Sequence, residues 1–593
     1  MNKKLLVTAV AVGLFSASSV MAAGFPAAPA VGDLGQMWVN PTGNSPLTAL
    51  LETGQKNITD VHVTVHGKGK KGVDVAYPVG PKAILRHHGI PIVGLYADHK
   101  NKVTVTFKKD GKKHVDKYDV LTSPIQNKYV DARNVTAMQE VEVIKVDKKF
   151  KDRLYLVNSH TLTQQGSDIH WSGSKGPSSK LFDATPAMGS MPFEAAPMTY
   201  VVDTNGDYRW WLDQDAVYNA NDIDINKRGY FMGVRKTDTD KFTYVQGQRW
   251  GHFDLLGNFN SFRLPRGYQD ASHEAVTMPN GDVLVRAAKT NYINSRGDKV
   301  HTVRDHILQV NPRGELVDVW VLPEIMDEYR DSLLSALDLG AVCVNVDIDQ
   351  VGQTMDEIPL DAPYGDTAGV VAGRNWAHVN SISYDPSDDG IILSFRHQGT
   401  AKLTRDKKVK WILAPREGWR GELAGKVLQP VDANGKPIEC TSKGKCEGDF
   451  DFSYTQHTSW LSPRGTVTVL DNGDGRWLDQ PVMPTDKWTR FVEYDIDEEN
   501  MTVKQVWEYG KERGYDWYSP ITSNVEYVPD RNTMFGFGGS VHLLEPGSRV
   551  TGMINEIDYD TKDVKVEIRV KSDKKNAPHY RALFIEPAKM FGE

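Results

Sequence analysis

The stretch HEAVTMPNGDVLVRA, residues 273–287, sets the pattern from which the fold can be predicted. A short apolar strand, a Pro-Asn-Gly-Asp turn and a second apolar strand are the signature of a β-hairpin. The same pattern returns in HVNSISYDPSDDGIILSFR (378–396), HTSWLSPRGTVTVLD (457–471) and NVEYVPDRNTMFGFG (524–538), and NDIDINKRGYFMGV (221–234) resembles an earlier copy.

A second type of hairpin alternates with the first. It consists of a strand carrying Asp or Asn, a turn, and a strand rich in Trp or Val, as in YVVDTNGDYRWWL (200–212), HILQVNPRGELVDVWVL (306–322), FVEYDIDEENMTVKQVWEYG (491–510) and INEIDYDTKDVKVEIRV (554–570). Two alternating hairpins with a period of about 50 to 80 residues predict four-stranded units in series, which is the pattern of a β-propeller. We expect six blades over residues 142–593, and seven is the alternative.

Residues 24–141 have a different character. Their strand-like runs alternate apolar and polar residues between Gly, Pro, Asn and Asp turns, which predicts a small antiparallel β-sandwich. The predicted fold is therefore all-β, with a sandwich before a six-bladed propeller. The stretch 323–339 is the one good amphipathic helix pattern and is interpreted as an insertion.

Residues 1–23 have the composition of an export signal. Lys3 and Lys4 precede an apolar stretch from Leu5 to Phe15, and small residues surround Ala22 and Ala23. A transmembrane anchor is the weaker interpretation, because a bilayer requires about 20 apolar residues. We expect cleavage after Ala22 or Ala23 and an exported protein without a membrane anchor.

Composition narrows the class of partner. The 593 residues are 40% hydrophobic and 25% charged, with a net charge of -7. This is the composition of a globular protein, and it offers no basic surface for nucleic acid.

The three cysteines fall into two settings. Cys440 and Cys446 lie in the polar loop CTSKGKC, which favours a short-range disulfide, whereas Cys343 in AVCVNVD has the setting of a buried thiol. Two unpaired thiols are the alternative for Cys440 and Cys446, and zinc is disfavoured because no further ligand stands at the required spacing.

The first type of hairpin also predicts a site. In a propeller the first strand of each blade lines a central channel, so residues that open the first strand and close the second meet at one end of it. The residues in these positions are His273 with Arg286, His378 with Arg396, His457 with Asp471 and Asn472, and, in their own repeats, Asn221 and Asn524.

Three imidazoles and a guanidinium at one place suit an oxyanion. A shared packing role in the repeat is the structural alternative. A zinc or copper cluster is another, although a guanidinium beside a divalent cation is electrostatically unfavourable. Because the chain contains no common nucleotide, zinc-protease or serine-hydrolase motif, an enzyme of this kind would use imidazole itself.

At this point the chain resembles a known family. NWAHVNSI (375–382), ILSFRHQGT (392–400), CTSKGKCEGDFDFSYTQHTSW (440–460) and the strand-opening His273 are similar to the bacterial arylsulfate sulfotransferases, periplasmic enzymes that move a sulfuryl group between phenols without a nucleotide donor. The resemblance covers nearly the whole mature chain. It implies a six-bladed propeller, a homodimer in the periplasm, and a ping-pong reaction through a sulfohistidine.

The resemblance also implies a role for each site residue. His457 corresponds to the nucleophile, and His273, His378 and Arg396 correspond to its companions. Cys440 and Cys446 correspond to the disulfide that braces the preceding loop. The expected partners are an aryl sulfate donor and a phenol acceptor, and no metal or other cofactor is needed.

Neighbouring polar residues are expected to orient the substrate or the nucleophile. Asn380 is a candidate substrate donor because it lies two residues after His378 on the same face of a strand. Thr522, with Ser523 and Asn524, would approach from the last blade. The ring tautomer of His457 would be fixed by one of its neighbours Thr455, Gln456, Thr458 and Ser459.

Two rival functions remain open at this stage. A non-catalytic propeller would bind a sugar or a protein partner in its channel, and its function would survive replacement of His457. A metal-dependent hydrolase would contain about one transition metal per chain and would lose activity to a chelator.

Overall fold

The computed structural model describes residues 34–54, 57–127, 138–162, 195–221, 231–342, 345–346, 348–480, 484–572 and 577–593. The predicted export signal and Cys343 lie outside these residues. The described part of the chain is nearly all β, as predicted, and its helices are short. The α-helices are α1 (Pro81–His87), α2 (Gln214–Asn221), α3 (Gly421–Ala424) and α4 (Pro587–Phe591), and the 3-10 helices are Lys148–Phe150, Leu322–Glu324, Leu334–Ala336, Ile348–Gln350, Arg476–Leu478, Pro484–Asp486, Lys511–Trp517 and Pro529–Arg531.

Two antiparallel sheets form the part of the chain before residue 123. In the four-stranded sheet, strands expose polar residues on one face and bury Val103, Val105 and Phe107 on the other, as their alternation predicts. The three-stranded sheet contains β1 (Met37–Val39), β2 (Ala49–Leu51) and β5 (Ile90–Ile92), and the four-stranded sheet contains β3 (Ile58–Val65), β4 (Val75–Val79), β6 (His99–Lys109) and β7 (Lys112–Thr122), in the order β4-β3-β6-β7.

Six larger sheets lie in the described residues from 140 to 585. Their strands are β8 (Glu140–Val146), β9 (Leu154–Leu162), β10 (Ala195–Asp203), β11 (Tyr208–Trp211), β12 (Met232–Lys236), β13 (Lys241–Gln246), β14 (Arg249–Asp254), β15 (Phe259–Arg263), β16 (Tyr268–Gln269), β17 (Ala275–Thr277), β18 (Val283–Lys289), β21 (His306–Val310), β22 (Leu316–Val321), β25 (Val379–Asp385), β26 (Gly390–Phe395), β27 (Gly399–Leu403), β28 (Val409–Leu413), β29 (Gln429–Pro430), β30 (His457–Leu461), β31 (Val467–Asp471), β32 (Arg490–Asp497), β33 (Thr502–Tyr509), β34 (Asn524–Val528), β35 (Thr533–Val541), β36 (Thr551–Asp558), β37 (Val564–Lys571) and β38 (Arg581–Ile585). Two small pairs are β19 (Tyr292–Ile293) with β20 (Lys299–Val300) and β23 (Ala341–Val342) with β24 (Asn345–Val346).

Each larger sheet contains four strands in a row, and each strand is antiparallel to the next. The sheet orders are β38-β9-β10-β11, β12-β13-β14-β15, β17-β18-β21-β22, β25-β26-β27-β28, β30-β31-β32-β33 and β34-β35-β36-β37, with β16, β29 and β8 attached to the third, fifth and sixth. The last strand, β38, pairs with the early strand β9, so the two ends of this region share one sheet.

The predicted hairpins are confirmed with two corrections. Asn221 ends α2, and the strand that it was expected to open falls in 222–230, outside the described residues. The first strand of the neighbouring sheet is β12, formed by residues expected to belong to the second strand of that hairpin. The helix predicted for 323–339 is also wrong. Only the two 3-10 turns Leu322–Glu324 and Leu334–Ala336 form there, because Arg330 instead turns to bond the carbonyl of Glu417 and the side chain of Gln398.

The first strands of successive sheets contact one another. We call these six the inner strands, and the contacts run β38 to β12, β12 to β17, β17 to β25, β25 to β30 and β30 to β34. Asn524 at the start of β34 exchanges two hydrogen bonds with the backbone of Ala582 in β38, at 2.8 and 3.1 Å. The starts of the inner strands are therefore brought together by contacts that are distant in sequence.

The sheets before residue 123 pack against the larger ones. One hydrophobic cluster includes Val63 and Val105 from the first region with Tyr155 and Phe253 from the second. The buried His87 at the end of α1 also pairs with Asp240, their side-chain atoms lying 2.5 Å apart. Among the described residues, no helix has the length and apolar character needed to cross a membrane.

Candidate active site

The inner strands begin with unusual backbone. His273, His378, Thr458 and Thr522 have φ angles of 68°, 48°, 56° and 60°, in the left-handed region that non-glycine residues rarely occupy. The strand pairing also shifts register between His457 and Ser459, and similarly after Val379. Such bulges and strained residues re-aim side chains and are concentrated at functional sites.

His457 lies at the start of β30 and is only 2% exposed. Its Nδ1 is 2.7 Å from Oδ1 of Asn472, which follows the neighbouring strand β31. Its Nε2 accepts a long hydrogen bond of 3.3 Å from the backbone N–H of Thr522. The two ring nitrogens therefore face different groups.

Asn472 determines the tautomer of His457. The amide nitrogen of Asn472 donates to the carbonyl oxygens of Ser519 and Thr522, at 2.6 and 3.3 Å, so its oxygen must be the atom that faces His457. An oxygen at this place requires a hydrogen on Nδ1. The lone pair of His457 is consequently on Nε2, and its orienting partner is Asn472, not one of the four neighbours Thr455, Gln456, Thr458 and Ser459.

His457 is held in its neutral form. Burial lowers the pKa of His457 well below its usual value, and the positive charge of Arg396 lowers it further. The hydrogen bond that Nδ1 of His457 donates to Asn472 acts in the opposite direction but does not reverse the shift. A neutral imidazole with an unprotonated Nε2 is the form that can act as a nucleophile.

Arg396 follows β26 and is 1% exposed. Its guanidinium donates to three carbonyl oxygens, those of Thr455 at 2.8 Å, Pro520 at 3.3 Å and Ala341 at 3.2 Å. Its backbone N–H bonds to the carbonyl of His378, which places it beside that residue as the hairpin pattern predicts. No carboxylate within the described residues forms an ion pair with it, so its hydrogen bonds go to carbonyl oxygens, and its charge helps to lower the pKa of the buried Asp474.

His273 and His378 form a pair. Their Nε2 atoms are 3.3 Å apart, and their rings meet edge to face with centroids 5.1 Å apart. Nδ1 of His273 bonds to Ser272 at 2.6 Å, and Nδ1 of His378 bonds to Asn375 at 2.9 Å. In the neutral pair, one Nε2 carries the hydrogen that the other accepts.

Both members of the pair resist protonation in the resting protein. Burial lowers the pKa of each well below its usual value, and the charges of Arg286 and Arg304 contribute to the shift for His273, as do Arg304 and His397 for His378. The pair therefore holds one transferable hydrogen and no net charge at neutral pH.

Two further residues surround this pair that sequence reasoning did not single out. His397 packs its ring edge to face on His378 with centroids 5.0 Å apart, and its Nδ1 is 2.7 Å from the carbonyl of Asn375. Both Asn375 and His397 lie within the motifs that carried the family resemblance, yet their spacing alone gives no sign of a shared contact.

The two predicted substrate donors contact the protein itself. The amide of Asn380 donates to the carbonyl of Gln456 at 2.7 Å and so holds the backbone just before His457. The hydroxyl of Thr522 donates to the carbonyl of Ile521, while its backbone N–H is the group that reaches His457. Asn380 thus holds the backbone before His457, and Thr522 contacts its Nε2.

The side chains of Arg286 and Asn524, also predicted to lie at the site, bond to other groups of the protein. Arg286 bonds through its guanidinium to Asp270 and to the backbone of Ser272, beside His273. Asn524 joins β34 to β38, as described above. Neither side chain bonds to His457 in the described part of the structure.

Cys440 and Cys446 are joined by a disulfide, as predicted. The loop that they close is linked to the site through Tyr454, whose hydroxyl donates to the carbonyl of Lys443 at 3.1 Å. Tyr454 also bonds through its backbone N–H to Asp471, at the end of the strand that precedes Asn472. The disulfide loop thus braces the segment that leads to His457.

Within the described residues, no group of three or more His, Cys, Asp or Glu side chains has a geometry that could hold a metal ion. The ring nitrogens of the three histidines are instead engaged with Asn472, Thr522, Ser272, Asn375 and one another.

Comparison with known proteins identifies the family of the chain. The family described as "Arylsulfotransferase (ASST)" matches residues 140–581, and the family described as "Arylsulfotransferase Ig-like domain" matches residues 36–123. Arylsulfate sulfotransferase AssT of Escherichia coli O6:H1 is 58% identical over 100% of this chain and 99% of its own length. The protein of the same name from Lelliottia amnigena is 56% identical, with 98% of each chain covered.

One matching solved structure shows a weaker likeness. The periplasmic gluconolactonase PpgL of Pseudomonas aeruginosa is 11% identical, with 73% of this chain and 99% of that chain covered and a TM-score of 0.31. The family matches, in contrast, cover most of the chain, and the two curated relatives cover essentially all of it. The chain therefore belongs to the arylsulfotransferase family and is an arylsulfate sulfotransferase.

Proposed function

We propose that this enzyme transfers a sulfuryl group from a phenolic sulfate ester to a phenol by a ping-pong reaction, with Nε2 of His457 as the carrier. The observation that supports this most strongly is the orientation of Asn472. Because its amide nitrogen is engaged by two carbonyl oxygens, the Nδ1 of His457 must hold the hydrogen and Nε2 the lone pair.

In the first half-reaction, Nε2 of His457 bonds to sulfur as the bond from sulfur to the phenolic oxygen breaks. The entering nitrogen and departing oxygen lie in line, and negative charge spreads over the three equatorial oxygens. The hydrogen on Nδ1 remains in place. The positive charge that develops on the imidazole ring is stabilised by Oδ1 of Asn472, and the sulfo group carries the matching negative charge.

The cations and N–H groups of the site would stabilise the moving oxygens. The guanidinium of Arg396 is held by carbonyl groups without a carboxylate partner among the described residues, so its charge is available to an anion. The backbone N–H of Thr522, which contacts Nε2 at 3.3 Å, becomes available to a sulfuryl oxygen once Nε2 has bonded to sulfur.

His273 and His378 would transfer a proton to the departing phenolate oxygen. The arriving sulfate ester is an anion, and its charge raises the proton affinity of the neutral pair, which then takes up one proton from solvent. This proton passes to the departing phenolate oxygen. Phenols with a low pKa need this help least, because their anions are stable.

The second half-reaction reverses these events. An incoming phenol gives its proton to the pair as its oxygen bonds to sulfur, and the bond from sulfur to Nε2 breaks with its electrons returning to nitrogen. The neutral His457 is regenerated, and the pair loses its proton to solvent.

The setting of the reaction is part of the same proposal. The six sheets and the chain of contacts among their inner strands support a closed six-bladed propeller over residues 142–593, with the site at the end of its channel where the inner strands begin. We propose that residues 24–141 form the preceding β-sandwich and that residues 1–23 direct export to the periplasm. The enzyme is proposed to act there as a homodimer, without a cofactor.

Incubation with a chromogenic aryl sulfate, with and without an unsulfated phenol, tests the proposed function. We expect phenol to accelerate release of the coloured product at least tenfold and to become sulfated in equal amount. Equal release in water and in phenol would show a sulfatase instead. Full activity after exhaustive dialysis against a chelator is also expected.

A further inference from the structure

A buried carboxylate directly follows His273 and has no part in the proposed chemistry. Glu274 is fully buried, and its Oε1 accepts hydrogen bonds from the guanidinium groups of Arg235 and Arg581, at 3.0 and 2.9 Å. Its Oε2 accepts one from the backbone N–H of Ile382 at 2.7 Å and lies 3.5 Å from Nε1 of Trp460. Both oxygens of this carboxylate are therefore engaged by donors.

These donors come from different sheets. Arg235 belongs to β12, Ile382 to β25, Trp460 to β30 and Arg581 to β38, while Glu274 precedes β17. One carboxylate thus links the inner strands of five of the six larger sheets. We call Arg235, Glu274, Trp460 and Arg581 the Glu274 cluster.

The side chains of the cluster also stack. The guanidinium carbons of Arg235 and Arg581 lie 4.2 and 4.8 Å from the ring centroid of Trp460. Arginine over an indole ring gains a cation–π attraction that increases when the pair is removed from water. The cluster is therefore a rigid, densely bonded unit, not a loose set of charges.

The cluster lies between the site and a cavity. Trp460 follows His457 by three residues in β30, and Tyr580, next to Arg581, donates its hydroxyl to the carbonyl of His273 at 3.2 Å. On the other side, Arg235 and Trp460 border a cavity of about 770 Å³. A shift of the cluster would therefore move the backbone of His273 and of the strand that carries His457.

The charge of the cluster bears on the site as well. Two guanidinium groups and one carboxylate leave one net positive charge, and the charge of Arg581, after burial and other cations, lowers the pKa of both His273 and His457. The other charged or titratable groups facing His273 are Arg286, Arg304, His378, His457 and Tyr580. Without the carboxylate, a second uncompensated cation would be added close to the histidine pair.

We propose that Glu274 is a positioning residue for sulfuryl transfer, which holds the left-handed turn at His273 so that its Nε2 faces that of His378. The inference rests on the proposed function, in which this pair protonates the departing phenolate. His273 itself adopts a φ of 68°, which is unfavourable for a histidine and persists only if its surroundings enforce it. The bonds of Glu274, the next residue, supply this constraint.

The test compares two donors in the full-length enzyme. Glu274→Gln keeps the shape of the side chain but replaces one acceptor oxygen by a donor nitrogen, and it removes the charge. We expect cleavage of an aryl sulfate with a poorly leaving phenol to slow about 30-fold, and that of a nitrophenyl sulfate to slow no more than about threefold, because only the former depends on a well-placed proton donor.

Glu556→Gln is the matched control. Glu556 is also fully buried and accepts hydrogen bonds from Arg153, Tyr155 and Thr533, none of which contacts the histidines. Both variants should lower the melting temperature, since each disturbs a buried, charged network. If Glu274 had a purely structural role, each variant would slow cleavage of the two donors by the same factor. That result for Glu274→Gln would overturn the proposal.

His378→Gln separates failure of this inference from failure of the proposed function. If His378→Gln discriminates between the donors and Glu274→Gln does not, Glu274 does not position the pair, although the pair transfers the proton. If neither variant discriminates, the acid–base role of the pair is wrong and the inference falls with it.

Should Glu274→Gln not fold, Arg235→Lys provides the same test from the partly exposed side of the cluster. It replaces the planar fork that reaches Oε1 by a single ammonium group. We expect cleavage of the donor with the poorly leaving phenol to slow about threefold more than cleavage of nitrophenyl sulfate. If this variant slowed cleavage of both donors by the same factor, the proposal would be overturned.

Discussion

His457 and the pair formed by His273 and His378 are built differently. His457 has one ring nitrogen bonded to an amide oxygen whose orientation is fixed, and its other nitrogen has only a long contact with a backbone N–H. The two members of the pair face each other through Nε2 at 3.3 Å and are held from behind by Ser272 and Asn375. The first arrangement presents a lone pair, and the second holds a hydrogen between two bases.

Histidine thus serves two tasks within one site. All three rings are buried, and burial lowers the pKa of each well below the usual value. Burial therefore does not distinguish them. The partner of the second nitrogen does, because an acceptor such as Asn472 Oδ1 fixes the hydrogen on that side, whereas a facing imidazole leaves it transferable.

Replacing His457 by Asn should have the largest effect. Both half-reactions use its Nε2, so we expect donor cleavage and acceptor sulfation each to fall by at least about 10⁴-fold, with good and poor leaving groups alike. Steady-state assays of the two half-reactions would measure this. Comparable cleavage of nitrophenyl sulfate by the variant would assign the attack to another group.

Arg396→Lys should slow the reaction by about tenfold to a thousandfold. A planar fork contacts two oxygens at once, whereas one ammonium group cannot do so with the same geometry. The loss should appear in kcat for both half-reactions, because the oxygens carry similar charge in both transition states. A rate near that of the wild type would remove Arg396 from the site.

Asn472→Ala should remove the contact that fixes the tautomer of His457. Without its acceptor, Nδ1 of His457 no longer needs to hold the hydrogen, and the fraction of rings with a free Nε2 falls. We expect cleavage of nitrophenyl sulfate to slow about tenfold to a hundredfold. Asn472→Asp, which retains an acceptor, should recover part of this loss, and equal rates for both variants would contradict the tautomer argument.

The pH profile should show a smaller effect. Because burial lowers the pKa of His457 well below its usual value of about 6.5, the ring stays neutral as pH falls through that range. We expect the rate of nitrophenyl sulfate cleavage to change less than about twofold between pH 7.5 and 6. A drop centred near pH 6.5 would show that His457 becomes protonated there, contrary to the account.

Loss of the disulfide should lower the rate only modestly. In the chain-entropy model, closing a loop as short as that from Cys440 to Cys446 stabilises by roughly 2 to 3 kcal/mol, and this gain is local to the segment before His457. Cys440→Ser with Cys446→Ser should therefore remain folded, with a severalfold lower kcat. Unchanged rate and melting temperature together would show that the loop does not brace the site.

The sequence was informative wherever function depends on local pattern. Alternating hairpins predicted the strands, and their ends predicted that His378 would meet Arg396 and that His457 would meet Asn472, because residues opening and closing one hairpin are neighbours in any register. The disulfide followed from a similarly short spacing.

Contacts between sheets could not be predicted in this way. Glu274 bonds to residues as far apart as Arg235 and Arg581, and no periodicity encodes such a meeting. The bulge after His457 reverses the local strand alternation, which is why Asn472 and not a chain neighbour orients the ring. The helix pattern at 323–339 failed because tertiary bonds such as that from Arg330 to Glu417 override local propensity.

The most direct test of the central claim is to locate the sulfuryl group on the enzyme. The enzyme is incubated with an aryl sulfate in the absence of phenol, quenched at alkaline pH, and its peptides are mapped by mass spectrometry. We expect one added sulfuryl group on the peptide containing His457, absent in His457→Asn and discharged when phenol is added before the quench. A label found reproducibly on His273 or His378 would contradict it.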